Sequence, residues 1–307
     1  MRLTDRRVLV TGGAGFIGAC LANRLAAENE VIALDDRSLG TPANLTDEVQ
    51  FVEGCILDAE LPVDVDVVFH LAALSSLPMH IDDPARGARV NVEGFVNVVE
   101  QARRAGCETV VYASTSSVYG DRIDPTPEDV PVTATTAYEA SKLARERYAE
   151  HFVEQYGLSV AGLRYFSVYQ GLAGTERHKG QYANLIAQFA DDVANGRSPV
   201  IWGDGTQSRD FIHVDDVVDA TIQAAAHPLS GVYNVGTGTR HTLLDVLDRL
   251  TELLDAEIEP TYVENPLPED VYVHHTRADS SALQDTTGWE PTIDFEEGLQ
   301  RVCRQYR

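Results

Sequence analysis

The sequence predicts an α/β protein built on a doubly wound parallel sheet. Three observations predict it. Short apolar runs alternate with helix-length amphipathic segments through the first half of the chain. A glycine-rich turn, Gly12-Gly-Ala-Gly15-Phe-Ile-Gly18, joins the first run to the first helix. A second run ends in the paired acids Asp35 and Asp36.

Arg7-Val-Leu-Val-Thr11 reads as the first strand. Glycines at 12, 15 and 18 fit a tight turn that brings backbone amides and a helix N-terminus up to a pyrophosphate. Ile17, Leu21 and Leu25 then recur at helical spacing from Phe16 to about Ala27. Val31-Ile-Ala-Leu34 is the second strand, and an acid at its end lies where an adenosine ribose offers two hydroxyls. A carboxylate there repels a 2′-phosphate, which favours NAD over NADP. Asp35 is the better placed acid, and Arg37 argues the other way. Val49 to Val52 and Val65 to Phe69 follow as strands, and Ala85 to Arg104 as a helix. Thr109 to Ala113 is a strand, Tyr138 to Tyr156 a long helix after a proline-rich loop, and Ser159 to Leu163 a strand. In such a sheet ligands bind at the strand carboxyl ends. Three segments fall there: His70 to Ser75, Ser114 to Gly120 and Arg164 to Ser167. No internal repeat or low-complexity linker separates independent domains.

Charge narrows the function. The 307 residues carry a formal charge of -24, with 48 acids against 24 bases. Nucleic acid and anionic membranes need a basic surface, so neither is expected as a partner. Only Lys142 and Lys179 are lysines; every other basic residue is an arginine. An acidic, lysine-poor chain suggests a high-salt cytoplasm, where surface carboxylates keep a protein hydrated. Cys20, Cys55, Cys107 and Cys303 are scattered, with no metal-ligand spacing and no disulfide framework. The first strand begins within a few residues of Met1, leaving no room for a signal peptide, and no apolar run reaches the ~18 residues of a membrane span. The expectation is a soluble cytoplasmic protein without a metal.

Tyr138-Glu-Ala-Ser-Lys142 is the candidate for chemistry. Residues four apart lie a turn apart on one helix face. A phenol of pKa ~10 is a poor base at neutral pH, but a nearby ammonium favours the phenolate. Such a pair also arises by chance on helix surfaces, so its meaning depends on context.

That context carries a resemblance. Thr11 to Gly18, His70-Leu-Ala-Ala73, Asn91, Ala113 to Gly120, Tyr138-x-x-x-Lys142 and Arg164-Tyr-Phe166 resemble the extended short-chain dehydrogenase/reductase family. Arg209-Asp-Phe-Ile-His-Val-Asp-Asp216 and Tyr233-Asn-Val-Gly-Thr-Gly238 are similar to its nucleotide-sugar epimerase/dehydratase branch. The resemblance implies a Rossmann-type domain at 1–165, also receiving 211–235, with tightly held NAD. It also implies a smaller C-terminal substrate-binding domain, residues 166–210 and 236–307, closing over a nucleoside-diphosphate sugar.

Position by position, it implies Tyr138 as proton acceptor and Lys142 as the residue that holds the nicotinamide ribose and lowers the tyrosine pKa. Thr115 would hydrogen-bond the same sugar oxygen. The cofactor would be met by Gly12, Gly15, Phe16, Ile17, Gly18, Asp35 and Asp36, by Cys55 and Ile56, and by Leu71, Ala72, Ala73 and Ser75. Ser114, Phe166 and Asn91 complete that set, and Asn91 would also support the active-site helix. Ser167, Tyr182, Trp202, Arg209 and Arg277 would face the sugar nucleotide, Arg209 at its diphosphate. His213, and Asp215 and Asp216 at the start of a helix, read as structural. A homodimer would pack through the helices at 88–104 and 138–156.

The implied reaction follows from two missing carboxylates. Dehydratases resemble Thr-Asp-Glu where this chain has Thr115-Ser116-Ser117, and decarboxylating relatives use a glutamate at the position of Ser117. With neither, a 4-keto sugar can only turn over and be reduced on its other face, which is 4-epimerisation. A nucleotide-sugar reductase or dehydrogenase, a dehydratase, and a non-catalytic NAD-binding sensor remain as alternatives. Departures from the family pattern include Cys55 for an aspartate, Gln170 for a glycine, Ser167 for an asparagine, and Leu267 for an arginine in Asn265-Pro-Leu-Pro-Glu-Asp270. Thr242 to Leu254 reads as an amphipathic helix capped by Thr242.

Overall fold

The computed structural model describes residues 3–62, 64–172, 174–268 and 271–307. Glu269 and Asp270, from the stretch that departs at Leu267, lie outside the described residues. In chain order the elements are β1 (Arg7–Thr11), α1 (Phe16–Leu25), β2 (Glu30–Asp35), β3 (Gln50–Glu53), β4 (Val67–His70), α2 (Pro78–Ile81), α3 (Pro84–Ala88), α4 (Gly94–Arg104) and β5 (Thr109–Ala113). There follow α5 (Ala137–Tyr156), β6 (Ser159–Tyr165), β7 (Ser167–Tyr169), α6 (Leu185–Ala194), β8 (Val200–Trp202), β9 (Ser208–Arg209), β10 (Phe211–His213) and α7 (Val214–Ala226). The chain ends with β11 (Gly231–Val235), β12 (His241–Thr242), α8 (Leu243–Leu254), β13 (Thr261–Val263), α9 (Ser281–Thr287) and α10 (Phe295–Arg304).

Seven strands form one parallel sheet in the order β3-β2-β1-β4-β5-β6-β11. The chain winds outward from β1 to β3, then restarts at β4 on the other side of β1. That reversal opens a crevice at the strand carboxyl ends. The strands are apolar because both faces are covered. Val8, Val10 and Val111 pack with α1 and α7 on one face, while Leu9, Val68 and Val110 pack with α4 and α5 on the other. A separate core joins Ile186 and Phe189 of α6 to Leu247 and Leu250 of α8 and Leu299 of α10. Thr242 caps α8 as expected, in a reciprocal capping box with Asp245. Leu283 and Trp289, far along the C-terminal part, pack into the core on the β1 side.

One expected helix differs. The segment 85–104 is helical throughout, but α3 and α4 are joined within it by a π-turn over Arg89–Glu93. Its wider bonding leaves the Asn91 carbonyl to accept from Arg145 Nε at 2.5 Å, a bond that comes from α5. A wide turn held by a buried cation is thus set beside the crevice, as such turns often are.

The last motifs work as fasteners. Buried Asp210 accepts from the backbone amides of Thr237, Gly238 and Ala278 at 2.8, 2.9 and 3.0 Å. His213 accepts from the amide of Asp215 and caps α7. Asp216 takes the amides of Thr292 and Ile293, both at 3.0 Å.

Candidate active site

The crevice holds a cavity of about 400 Å³. At its β1 end the glycine turn is sterically required. Gly12 has φ +68°, and a Cβ there would stand 2.6 Å from the amide nitrogen of Ala72. A Cβ on Gly18 would lie 2.1 Å from the carbonyl oxygen of Gly12. These contacts let α1 start directly at the cavity, and no side chain caps it. Its first amides are left to a ligand, and the dipole there favours an anion. Asp35 sits at the end of β2, 8% exposed, accepting from the amides of Ala14 at 3.1 Å and Arg37 at 2.8 Å. Burial pushes its carboxyl up, while those two bonds pull the other way. An uncapped helix start beside a half-sequestered carboxylate fits a dinucleotide: amides for the pyrophosphate, an acceptor for a ribose.

Tyr138 lies in the first turn of α5, whose start is fixed by a capping box between Thr136 and Glu139. Lys142, one turn on, is 2% exposed. Its Nζ donates to the Ala113 carbonyl at 3.0 Å, at the end of β5, and stands 5.8 Å from the centre of the Tyr138 ring. Thr115 accepts from the amide of Ser117 at 3.2 Å, and its hydroxyl is hydrogen-bonded with Tyr138. The Ser114 hydroxyl points back to α5, donating to Glu146 at 2.5 Å. Glu146 in turn holds Arg164 through two bonds, 3.0 and 2.7 Å, with both side chains buried. Strand ends and helix are thereby locked in register around the tyrosine.

Burial dominates the electrostatics of the pair. Burial raises the Tyr138 pKa, and the hydrogen bond from Thr115 and the charge of Arg145 offset only part of it. Lys142 is shifted by the same cause. Burial drives its own pKa well down, helped by the positive charge of Arg145 and opposed by Glu146. Desolvation outweighs the single charge on the neighbouring turn.

Arg145 is the residue that sequence reading passes over. It is completely buried and donates to the carbonyls of Asn91 and Ala72, at 2.5 and 3.0 Å. At position i+7 from Tyr138 it shares the face of Tyr138 and Lys142, so the spacing signals it. His80 is another omission. Its ring meets that of Tyr138 edge-on at 5.5 Å, and it packs on Gly87, where a Cβ would lie 2.2 Å from Nδ1.

All the cofactor candidates line this cavity except Asn91. Asn91 is fully buried behind it. Its Oδ1 accepts from the Leu74 amide at 2.8 Å, and its Nδ2 donates to the Leu74 carbonyl at 3.1 Å and to Ser141 at 2.9 Å. It positions the Leu71–Ser75 loop against α5 and cannot itself touch a ligand. Thr115, Ser167 and Tyr182 line the cavity, whereas Trp202, Arg209 and Arg277 do not. Arg209 gives its guanidinium to the carbonyls of Ser208, Val273 and His274, binding the 272–276 segment to β9. Arg277 donates to the Gly238 carbonyl at 2.8 Å, and Trp202 is 40% exposed, tilted against Tyr272. Those backbone acceptors are remote in sequence, which hid them. The Thr175–Asn184 segment supplies further lining: His178, Lys179 and Asn184. Gln170 anchors it, its Oε1 accepting from the amide and hydroxyl of Thr175 at 2.9 and 2.7 Å. Among the described residues, no three His, Cys, Asp or Glu side chains are grouped to hold a metal.

An uncapped glycine-turn helix, an acid at the second strand end and a buried tyrosine–lysine face define a dinucleotide-dependent enzyme of the Rossmann type. Comparison makes the class specific. The profile of the NAD dependent epimerase/dehydratase family matches residues 8–236. A UDP-glucose 4-epimerase of Mycolicibacterium smegmatis is 35% identical, over 98% of both chains. A UDP-N-acetylglucosamine 4-epimerase from Methanobrevibacter ruminantium, solved with UDP-N-acetylmuramic acid, superposes with a TM-score of 0.92 at 33% identity, over 99% of both chains. A UDP-glucose 4-epimerase of Thermotoga maritima, solved with UDP-glucose, gives 0.90 at 32%, over 98% of both. The chain belongs to the NAD dependent epimerase/dehydratase family, within the extended short-chain dehydrogenases/reductases, and its cofactor is NAD.

Proposed function

We propose that the chain is a nucleotide-sugar 4-epimerase of the UDP-glucose/UDP-galactose type. One observation carries the choice of reaction. Among the described residues the only carboxylates lining the cavity are Asp35 and Asp36, at the β2 end, while the Tyr138 end carries Thr115, Ser116 and Ser117. Dehydration and decarboxylation each need an added acid or base beside the sugar, and none stands there.

The glycine turn and the first amides of α1 would hold the NAD pyrophosphate, Asp35 a ribose of the adenosine half, and Lys142 the nicotinamide ribose. NAD, when bound, supplies the means to remove and return a hydride at sugar C4. Tyr138 takes the proton of the 4-hydroxyl as that oxygen becomes a carbonyl and gives it back as the hydroxyl reforms. Thr115 holds the same oxygen, fixing the line between base and proton. Burial raises the Tyr138 pKa, so positive charge beside the phenol is what would let it act as a base. Inversion requires the hexose to present its other face midway, so Ser167 and Tyr182 would grip the nucleotide side and leave the sugar ring able to turn.

Residues 1–165 with 211–235 would form the cofactor unit, and 166–210 with 236–307 the sugar-nucleotide unit. A homodimer through α4 and α5 accounts for the exposed Tyr148 and Tyr156 on α5, 45% and 51% accessible. The carboxylate surface suits a salt-rich cytoplasm, and no helix among the described residues is long and apolar enough to cross a membrane.

The test is to incubate the purified protein with UDP-glucose, UDP-N-acetylglucosamine and UDP-glucuronate in high salt, with no added cofactor. Interconversion at C4 without net NADH is expected. NADH accumulating on added NAD would make it a dehydrogenase, and inertness toward every sugar nucleotide would overturn the enzymatic reading. Tyr138→Phe should retain NAD while turnover falls by roughly two to four orders of magnitude.

A further inference from the structure

Both lysines of this chain line the same cavity, and their surroundings differ. Lys142 has the Ala113 carbonyl as its acceptor. The ammonium of Lys179 stands 5.5 Å from the centre of the Phe16 ring, at the first residue of α1. Among the described residues it has neither a hydrogen-bond acceptor nor a carboxylate within ion-pairing reach. Glu176 is the acid nearest in sequence, but it is fully buried and committed to the amides of Gln170, Gly171 and Asn184, at 2.9, 3.1 and 2.6 Å. Burial disfavours the Lys179 ammonium, and the charge of Glu176 on the same segment offsets only part of that cost.

The segment that carries it is tied to the β1–α1 side of the cavity, away from Tyr138. Cys20 of α1 and the Thr175 hydroxyl meet at 3.0 Å. Asn44 meets His178 at 3.1 Å and donates to the Ala14 carbonyl at 3.1 Å. A cation with open donors is therefore held opposite the uncapped amides of α1. Two sets of donors facing each other across one gap suit a group with anionic oxygens on both sides, which is a diphosphate.

We propose that Lys179 is a side-chain ligand of the cofactor's diphosphate, closing over the start of α1 from the segment that follows β7. This rests on the reading that NAD occupies this cavity. A sugar nucleotide carries the same chemistry, but the place against Phe16 assigns Lys179 to the cofactor. Release of NAD then requires the Thr175–Asn184 segment to lift, which keeps the cofactor in place from one turnover to the next.

The proposal is tested with Lys179→Gln and Lys179→Arg, stripped of cofactor and titrated calorimetrically with NAD, adenosine and UDP. Loss of a charge-assisted hydrogen bond should weaken NAD about tenfold or more in the glutamine variant. Adenosine and UDP should bind as in the parent, the arginine variant should recover most of the loss, and less NAD should co-purify with the glutamine form. Unaltered NAD affinity would overturn the proposal, as would an equal loss for adenosine, which marks a packing role. Weakened UDP with unchanged NAD would place Lys179 on the substrate's diphosphate instead. Absence of NAD binding in the parent protein would overturn the underlying reading, an outcome distinct from all of these.

Discussion

Asn91 connects the two halves of the site, and its replacement by leucine has a cost that can be worked bond by bond. The leucine side chain is close in size but offers neither donor nor acceptor. The Leu74 amide loses its 2.8 Å acceptor in a fully buried place, a penalty of about 1–3 kcal/mol. The 2.9 Å bond to Ser141 goes too, about 1 kcal/mol more, although Ser141 keeps the Tyr138 carbonyl at 2.7 Å. The Leu74 carbonyl retains the ring of His80 at 3.1 Å, so it adds nothing. The sum is about 2–4 kcal/mol, which for a chain of this size is a drop of roughly 3–6 °C in melting temperature. Because Leu74 sits in the loop that lines the cofactor cavity, NAD affinity should fall alongside stability. Thermal unfolding of stripped protein, paired with NAD titration, measures both. Asn91→Asp keeps an acceptor facing the Leu74 amide and should lose less. A leucine variant that melts within a degree or so of the parent and binds NAD equally would refute this account of Asn91.

Other expectations follow from the same geometry. Gly87→Ala should cost about 1–3 kcal/mol through overpacking against His80, and adding His80→Ala should recover part of it in urea unfolding; a full-cost double variant would argue against the contact. His70 is completely buried, with Thr11 on Nδ1 at 2.8 Å, and burial holds its pKa well below the usual range. The unfolded chain takes up that proton near pH ~6.5, so it binds more protons than the folded state below that value, and stability should fall as pH drops through it. Lys142, also lowered, acts with the same sign up to pH ~10.4. Urea midpoints at pH 7.5 and 5.5 (roughly the two sides of a histidine titration) should differ accordingly, and His70→Gln should flatten the difference. With a formal charge of -24, unfolding midpoints should rise between low and molar KCl as surface repulsion is screened; a flat response would remove the halophilic reading.

Much of the fold was legible because its signals are local. A strand, three glycines and a helix with Ile17, Leu21 and Leu25 specify their geometry within about two turns, and the acid of Asp35 lies at a fixed distance along the chain. The tyrosine–lysine pair was legible for the same reason, and Arg145 on the same face could have been read by extending the spacing one step. What spacing could not give was competition for partners. Arg209 carries the right group for a diphosphate, and in this structure it donates to the carbonyls of Val273 and His274, 64 and 65 positions further along the chain. The π-turn at 89–93 depends on a bond from α5 more than 50 positions away. The sign of the Tyr138 shift was also beyond sequence, since burial decides it and burial is a property of the assembled crevice.

The two lysines have a practical consequence. A lysine-specific protease has only two places to cut this chain, after Lys142 in α5 and after Lys179 in the segment over α1. The first bond is inside a packed helix and opens only with the core, while the second opens whenever its segment lifts. The ratio of the two cleavage rates is thus a built-in clock, comparing excursions of the flap with unfolding of the whole molecule in a single digest.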